Sequence, residues 1–247
     1  MRDRAVYLDL DGTLMGPGGG LFAGGDGGFT MAGATTLRML AARQIPVVLV
    51  SGRTRTQLSE TGRLLGAARV IPELGALDCG YPTPPGVSIR EAIEATGIVE
   101  ALVSRESRME RFSRPGIHRE ATVLLRGHAG PQASSSIESE SGGTLRLADN
   151  GTVALDGARA WHLLPKSAGK GPAVARDVSA FELDPSRCLA VGNSLEDLEM
   201  REAGVPVAIV RNGVEGNPEL AAGATWVTNG RFGEGVLEAV ERYLLTG

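Results

Sequence analysis

Aromatic residues are scarce in this chain of 247, with Phe, Trp and Tyr making up 4% of it. There is no basic excess either, 25 Lys and Arg standing against 29 Asp and Glu. A protein that tracks a nucleic-acid backbone needs a positive stripe with aromatic stacking platforms, so the composition argues against a nucleic-acid partner. Only Cys79 and Cys188 carry thiols, far apart and in no metal or redox spacing. Both are expected to be small buried apolar residues rather than a disulfide, which fits a reducing compartment. His118, His128 and His162 share no ligand-like spacing and are read as surface or packing residues. Long apolar runs are also missing. After Met1-Arg2-Asp3-Arg4 a short apolar stretch ends at Asp9, too short for a signal-peptide core or a membrane span. A cytoplasmic protein with no membrane partner is expected.

What is present is ordinary globular material, 42% hydrophobic and 22% charged, in a length that accommodates one large or two modest domains. Ala5-Val6-Tyr7-Leu8 reads as a short buried strand. Apolar residues at helical spacing follow from Thr30 to Arg43, then a strand at Val47–Val50, a helix at Thr56–Leu65 and a strand at Arg69–Ile71. Strand, helix, strand with right-handed crossovers is the start of a parallel sheet. The rhythm stops at Pro72–Ala76 and resumes with a helix from Lys170, strands at Cys188–Val191 and Pro206–Val210, a helix at Leu195–Glu202, the pair Trp226-Val227 and a last helix from Gly235 to Leu245. Between them, helical pieces from Ile89 to Arg105, strands at Ala121–Leu125 and Thr144–Leu147, and a Ser/Glu/Gly-rich exposed helix or loop at Ser134–Gly143 form a different pattern. The expected fold class is therefore α/β: a Rossmann-like three-layer α/β/α core with a parallel sheet, made from residues 1–76 and 165–247, plus an inserted α+β domain at 77–164. Gly16 to Gly28, crowded with glycine, reads as a flexible surface loop, and neither it nor Gly169-Lys170-Gly171 satisfies the phosphate-loop pattern.

The chemistry concentrates where the first strand ends. Tyr7-Leu8-Asp9-Leu10-Asp11-Gly12-Thr13 places two carboxylates two positions apart at a strand tip, and in open α/β sheets ligands bind outside the carboxyl ends of the strands. Three further segments follow in order: Leu49-Val50-Ser51-Gly52-Arg53 at the second strand, Lys170-Gly171 at a helix start, and Val191-Gly192-Asn193-Ser194-Leu195-Glu196-Asp197 after a later strand. Together these segments resemble the signatures of the haloacid dehalogenase-like phosphohydrolases, and the tail from Val207 to Thr228 resembles the subclass whose cap is inserted after the third strand, which includes sugar-phosphate phosphatases.

The resemblance implies a magnesium-dependent phosphatase acting on a small phosphorylated metabolite, with a sugar phosphate as the expected class. It assigns Asp9 as nucleophile, Asp11 as acid/base, Ser51, Gly52 and Lys170 as phosphate-binding, and Asp9, the Asp11 carbonyl, Asn193 and Asp197 as the residues that hold Mg2+. Elementary chemistry agrees with these residue types. Phosphoryl transfer needs a positioned group and neutralised equatorial oxygens. A carboxylate nucleophile splits hydrolysis into two easier displacements, and a second carboxyl can protonate the leaving alkoxide. A lysine supplies a compact charge, and magnesium prefers oxygen ligands.

Lys166 is a rival to Lys170, which is favoured because it directly precedes Gly and the helix. Arg53 either reaches substrate or pairs with surface acids. The chain departs from the family pattern at Asn193, where Asp is usual, and at Glu196, where Asn is usual; an amide oxygen without charge implies weaker magnesium binding unless Glu196 or Asp197 compensates. The alternatives are a phosphomutase using the same Asp9, or a ligand-binding or regulatory relative weakened at the metal site.

Overall fold

The structure is a computed structural model of the chain and describes residues 3–113, 116–152 and 158–246. Met1 and Arg2, at the head of the N-terminal stretch read above, lie outside the described residues. Among the described residues ten strands run in chain order: β1 Val6–Leu8, β2 Val47–Val50, β3 Arg69–Ile71, β4 Met109–Arg111, β5 Val123–Gly127, β6 Leu145–Thr152, β7 Arg159–Pro165, β8 Leu189–Gly192, β9 Val207–Ile209 and β10 Trp226–Val227. The chain divides into two compact units. One consists of Met1–Ser51, Thr56–Ile71 and Lys170–Gly247, the other of Gly52–Arg55 and Pro72–Gly169.

The first unit holds a six-stranded sheet in the order β10-β9-β8-β1-β2-β3, with every pairing parallel. Parallel strands covered on both faces read as continuous apolar runs, and successive residues point to opposite faces. Val6, Leu8, Val47, Leu49, Leu189 and Val191 pack on one side with Leu40 of the Ala32–Ala42 helix and Val236, Ala239 and Val240 of the Phe232–Thr246 helix. Tyr7, Val48, Val50, Ala190, Val207 and Ile209 pack on the other with Val174 of the Lys170–Ala180 helix and Met200. Those two apolar layers make the three-layer core. One polar knot is built into the second layer: the Tyr7 hydroxyl donates to Asp177 Oδ2 at 2.8 Å, and Arg69 donates to Asp177 Oδ1 at 2.7 Å and to Oδ2 at 2.8 Å. Arg69 also lies 3.8 Å over the Phe181 ring. Burial, then the Asp177 carboxylate, push the Tyr7 phenol far above its ordinary value.

The second unit is α+β. Its four strands lie in the order β4-β5-β7-β6, all antiparallel. The helices Ile89–Glu94, Ile98–Arg105 and Ala133–Glu140 cover the sheet with Ile93, Val99, Leu102 and Ile137. Glu73, fully buried, ties the beginning of this unit to its middle: Oε1 accepts from the Glu120 amide at 2.9 Å, and Oε2 from the amides of Ala121 and Thr122 at 3.1 and 2.9 Å and from the Thr122 hydroxyl at 2.8 Å.

Several elements differ from the sequence reading. The helical stretch from Ile89 to Arg105 is two helices, parted at Gly97, which adopts φ +74°. The strand expected at Ala121–Leu125 runs from Val123 to Gly127, because Glu73 takes the Ala121 and Thr122 amides. Among the described residues the insert has four strands rather than two. The helix expected over Leu195–Glu202 ends at Leu198 and continues as a tighter 3-10 segment over Glu199–Ala203. Gly16 to Gly28 is organised by tight turns and bridges pairing Gly16 with Gly20 and Ala23 with Phe29, with Phe22 and Phe29 stacked at 5.7 Å between centroids. Cys188 is buried, but Cys79 is only half-buried; both are free thiols. Among the described residues no helix is long and apolar enough to cross a membrane.

Candidate active site

The site is assembled by strand register. Leu8 pairs with Leu49 on one side and with Val191 on the other, so the residues that follow each strand emerge along one edge of the sheet. Asp9 follows β1, with its amide donating to Val191 O at 3.0 Å; Ser51 follows β2, with its amide donating to Ile71 O at 3.0 Å; Asn193 follows β8. Strands β2 and β3 lie on one side of β1, while β8, β9 and β10 lie on the other. A crevice opens at the carboxyl ends where the strand order reverses in this way.

Asp9 and Lys170 are both buried, and Lys170 Nζ donates to Asp9 Oδ1 at 2.7 Å. The same nitrogen donates to Asp197 Oδ1, also at 2.7 Å. The other oxygen of Asp197 accepts from the Asn193 amide at 2.9 Å, the Ser194 amide at 2.9 Å and the Ser194 hydroxyl at 2.7 Å. The local cause is a capping box: Ser194 caps the Leu195–Leu198 helix and Asp197 is its third residue, reaching back to the cap. Gly12, at φ +86°, turns the chain away after the acidic pair. Thr13, buried beneath that turn, donates to Asn193 Oδ1 at 3.1 Å. Asn212 lies in the Val207–Thr228 tail, where the sequence reading gives it no role of its own; its Nδ2 donates to Gly12 O at 2.8 Å, and its Oδ1 accepts from the Phe232 amide at 2.8 Å. It pins the turn to the start of the last helix.

Burial pushes the Asp9 carboxyl up, to about 7; Lys170 pulls against this, while the charges of Asp197 and Asp11 add to it. Burial also pushes the Lys170 ammonium down, but Asp197 and Asp9 outweigh it and hold Lys170 above its ordinary value. The lysine is therefore a fixed positive charge.

The site residues expected from sequence separate clearly. Asp9, Lys170, Asn193 and Asp197 are brought together by the contacts above, Ser51 is buried at the neighbouring strand tip, and Asp11 is exposed. Gly52 and Arg53 belong to the second compact unit. Lys166 pairs with Glu138 there and takes no part in the Asp9 contacts. Asp9 Oδ2 accepts no hydrogen bond from the described residues, and Asn193 Oδ1 accepts only the Thr13 hydroxyl. The Asp9 carboxylate and Asn193 Oδ1 are oxygen donors of the kind magnesium takes, and the Asp11 carbonyl is the third that the resemblance would add. Asp197 is differently engaged. Its two oxygens accept four hydrogen bonds, so it anchors Lys170 and the Asn193-Ser194 backbone.

Known proteins share this organisation. The family model for sucrose-6F-phosphate phosphohydrolase matches residues 148–244. A phosphoglycolate phosphatase of Methanococcoides burtonii is 24% identical over 99% of this chain and 98% of its own length. Another, from Methanoculleus marisnigri, is 29% identical over 86% of this chain and 88% of its own. Among solved structures, the sucrose-phosphatase from Synechocystis, in complex with sucrose and phosphate, superposes with a TM-score of 0.69 at 19% identity, covering 98% of each chain. A haloacid dehalogenase-like hydrolase from Bacteroides thetaiotaomicron gives a TM-score of 0.65 at 16% identity, covering 97% of this chain and 98% of the other. The chain belongs to the haloacid dehalogenase-like phosphohydrolases. It is a phosphoric monoester hydrolase, with a parallel core and an inserted α+β unit as the family reading requires.

Proposed function

We propose that this phosphohydrolase cleaves the phosphate monoester of a small metabolite, with magnesium, through an aspartyl-phosphate on Asp9. The observation that carries the reading is the buried Asp9–Lys170–Asp197 contact at the tip of β1. A carboxylate is placed out of water with a fixed lysine on one oxygen and its other oxygen open. In the first displacement Asp9 Oδ2 attacks phosphorus, the ester P–O bond breaks, and Asp11 gives its proton to the departing alkoxide. In the second, Asp11 takes a proton from water, the water oxygen attacks phosphorus, and the bond to Asp9 breaks, returning Asp9 and inorganic phosphate. Lys170 and the Ser51 hydroxyl hold the equatorial oxygens. Magnesium, when bound by Asp9, the Asp11 carbonyl and Asn193, supplies the charge that lets an anionic ester approach an anionic carboxylate.

The metabolite class follows from the relatives. Phosphoglycolate and sucrose 6-phosphate, the substrates that their names state, are both small phosphorylated hydroxy compounds, and the present chain is read as acting on a member of that range, sugar phosphates included. The test is a panel of such esters, assayed for released phosphate with and without magnesium, using Asp9→Asn as the control. Turnover by the wild type, dependent on magnesium and abolished in Asp9→Asn, is the expected result. Normal turnover by Asp9→Asn would remove Asp9 as nucleophile.

A further inference from the structure

Asn212 has no part in the two displacements described above, yet both ends of its side-chain amide are committed. Nδ2 donates to Gly12 O at 2.8 Å, and Oδ1 accepts from the Phe232 amide at 2.8 Å. A backbone N–H can only donate and a carbonyl can only accept, so these partners need a side chain with one end of each kind, and the Phe232 amide fixes which end faces Gly12. Phe232 itself holds φ +47°, a left-handed conformation uncommon for a bulky residue and kept only where the surroundings impose it. The group that orients Asn212 is therefore itself fixed.

What Asn212 grips is the most permissive point of the acidic turn. Gly12 stands at φ +86° beside Asp11, and a β-carbon on it would come within 2.5 Å of Asn193 Nδ2, so the close approach of Asn193 requires glycine. Glycine admits many backbone states, and a turn that depends on one needs restraint from elsewhere. Within the turn, the Gly12 amide donates to Met15 O and the Thr13 amide to Leu10 O, both at 3.1 Å. From outside, Asn212 takes the Gly12 carbonyl, while Gly213, whose β-carbon would meet Asn193 O at 2.6 Å, lets the same segment close on the residues after β8. Gly12, Asn193, Asn212 and Phe232 all belong to the first compact unit.

We infer that Asn212 is a positioning residue for Asp11: by holding Gly12 O it fixes the turn that carries the Asp11 carboxyl, and so serves the proton transfer through Asp11 rather than by touching substrate. This rests on the phosphatase reading, in which Asp11 gives its proton to the departing alkoxide. Asp11 is exposed, so packing does little to aim it and the backbone that carries it does most. A group that moves a proton must lie within about 2.6–3.2 Å of its partner, and a misplacement of about 1 Å costs about 100-fold.

The experiment compares Asn212→Ala, which removes both contacts, with Asn212→Asp, which keeps an oxygen for the Phe232 amide and loses the donation to Gly12 O. Turnover is measured at saturating magnesium on the best alkyl ester of the panel above and on p-nitrophenyl phosphate, whose leaving group departs with little protonation. Both variants should lose about 10- to 100-fold in kcat on the alkyl ester with KM little changed, and about threefold or less in kcat/KM on the aryl ester. Hydrogen exchange of the metal-free proteins should show the Gly12 and Thr13 amides exchanging about tenfold faster than in the wild type, since the turn has lost its outer restraint. Thermal melts give the folded fraction, and should Asn212→Ala not fold, Asn212→Asp alone carries the test. Equal losses on the two esters would assign Asn212 to general stability, and wild-type behaviour of Asn212→Asp would leave only the Phe232 contact; either overturns the inference. If the wild type hydrolyses neither ester, the phosphatase reading fails, and the exchange measurement still decides whether Asn212 holds the turn, unchanged protection overturning it.

Discussion

Replacing Lys170 by Met removes the one cation shared by two buried carboxylates. In the folded protein Asp9 and Asp197 each lie 2.7 Å from its nitrogen, and all three side chains are sequestered from water. Breaking a buried ion pair from one side costs about 3–5 kcal/mol, because the remaining charge is left uncompensated. A chain of this size shifts its melting temperature by about 2–4 °C per kcal/mol, so Lys170→Met should melt about 6–20 °C below the wild type. The sign with pH is fixed by the raised value of Lys170. Its contribution is complete below the ordinary lysine value of 10.5 and is lost as pH rises through the higher folded value, so the comparison is made at neutral pH in a chelator. The partners differ in what they can do without the lysine. Asp197 keeps three donors on Oδ2, whereas Asp9 loses its hydrogen-bond donor, so Asp9 takes up the proton. Asp197→Asn in the Lys170→Met background should therefore cost less than it does alone, with a coupling on the order of 1–3 kcal/mol. Scanning calorimetry of the four proteins measures it. Melting of Lys170→Met within a degree or so of the wild type, or losses that simply add, would refute the argument.

Two other outcomes follow from the same geometry. Because the folded Asp9 carboxyl sits near 7 against an ordinary 3.8, the native state binds the extra proton, and the stability of the metal-free protein falls as pH rises through that window; Asp9→Asn should melt higher than the wild type at pH 8, with the gap closing towards pH 4, and a gap that is constant with pH would contradict the assigned cause. If Asn193 Oδ1 ligates magnesium, Asn193→Asp adds a charge in place and should lower the magnesium concentration for half-maximal activity, while Asn193→Ala should raise it; an alanine variant that titrates like the wild type would put Asn193 outside the metal's ligands.

The parallel core is legible in the sequence because strands buried on both faces, such as Val47–Val50, leave uninterrupted apolar runs, and the helices between them keep a clear period. The insert is less so. β4 is the three residues Met109-Glu110-Arg111, too short to show a period, and β7 carries a buried histidine inside a run ending in proline. Asp9 and Lys170 stand out through their placement at a strand tip and a helix start. Asp197 enters the sequence reading only through the family resemblance, as a metal residue, and its place in the Ser194 capping box and its bond to Lys170 appear only in the structure. Glu73 gives no sequence signal, since what distinguishes it is its left-handed backbone, φ +48°, and partners at residues 120–122 far away in the chain.

The pairing of β1 has a consequence for how the protein is made. β1 lies between β2 and β8, and Val6 is in register with Leu189. At about 5–20 residues per second a ribosome takes roughly 10–40 s to travel between those two residues. Throughout that interval one side of β1 has no partner strand, and Asp9 awaits its lysine. A nascent chain halted inside the insert holds β1, β2 and β3 with an apolar edge open to its neighbours, which is a template for aggregation rather than a partial enzyme. The protein depends on the prompt arrival of its last third.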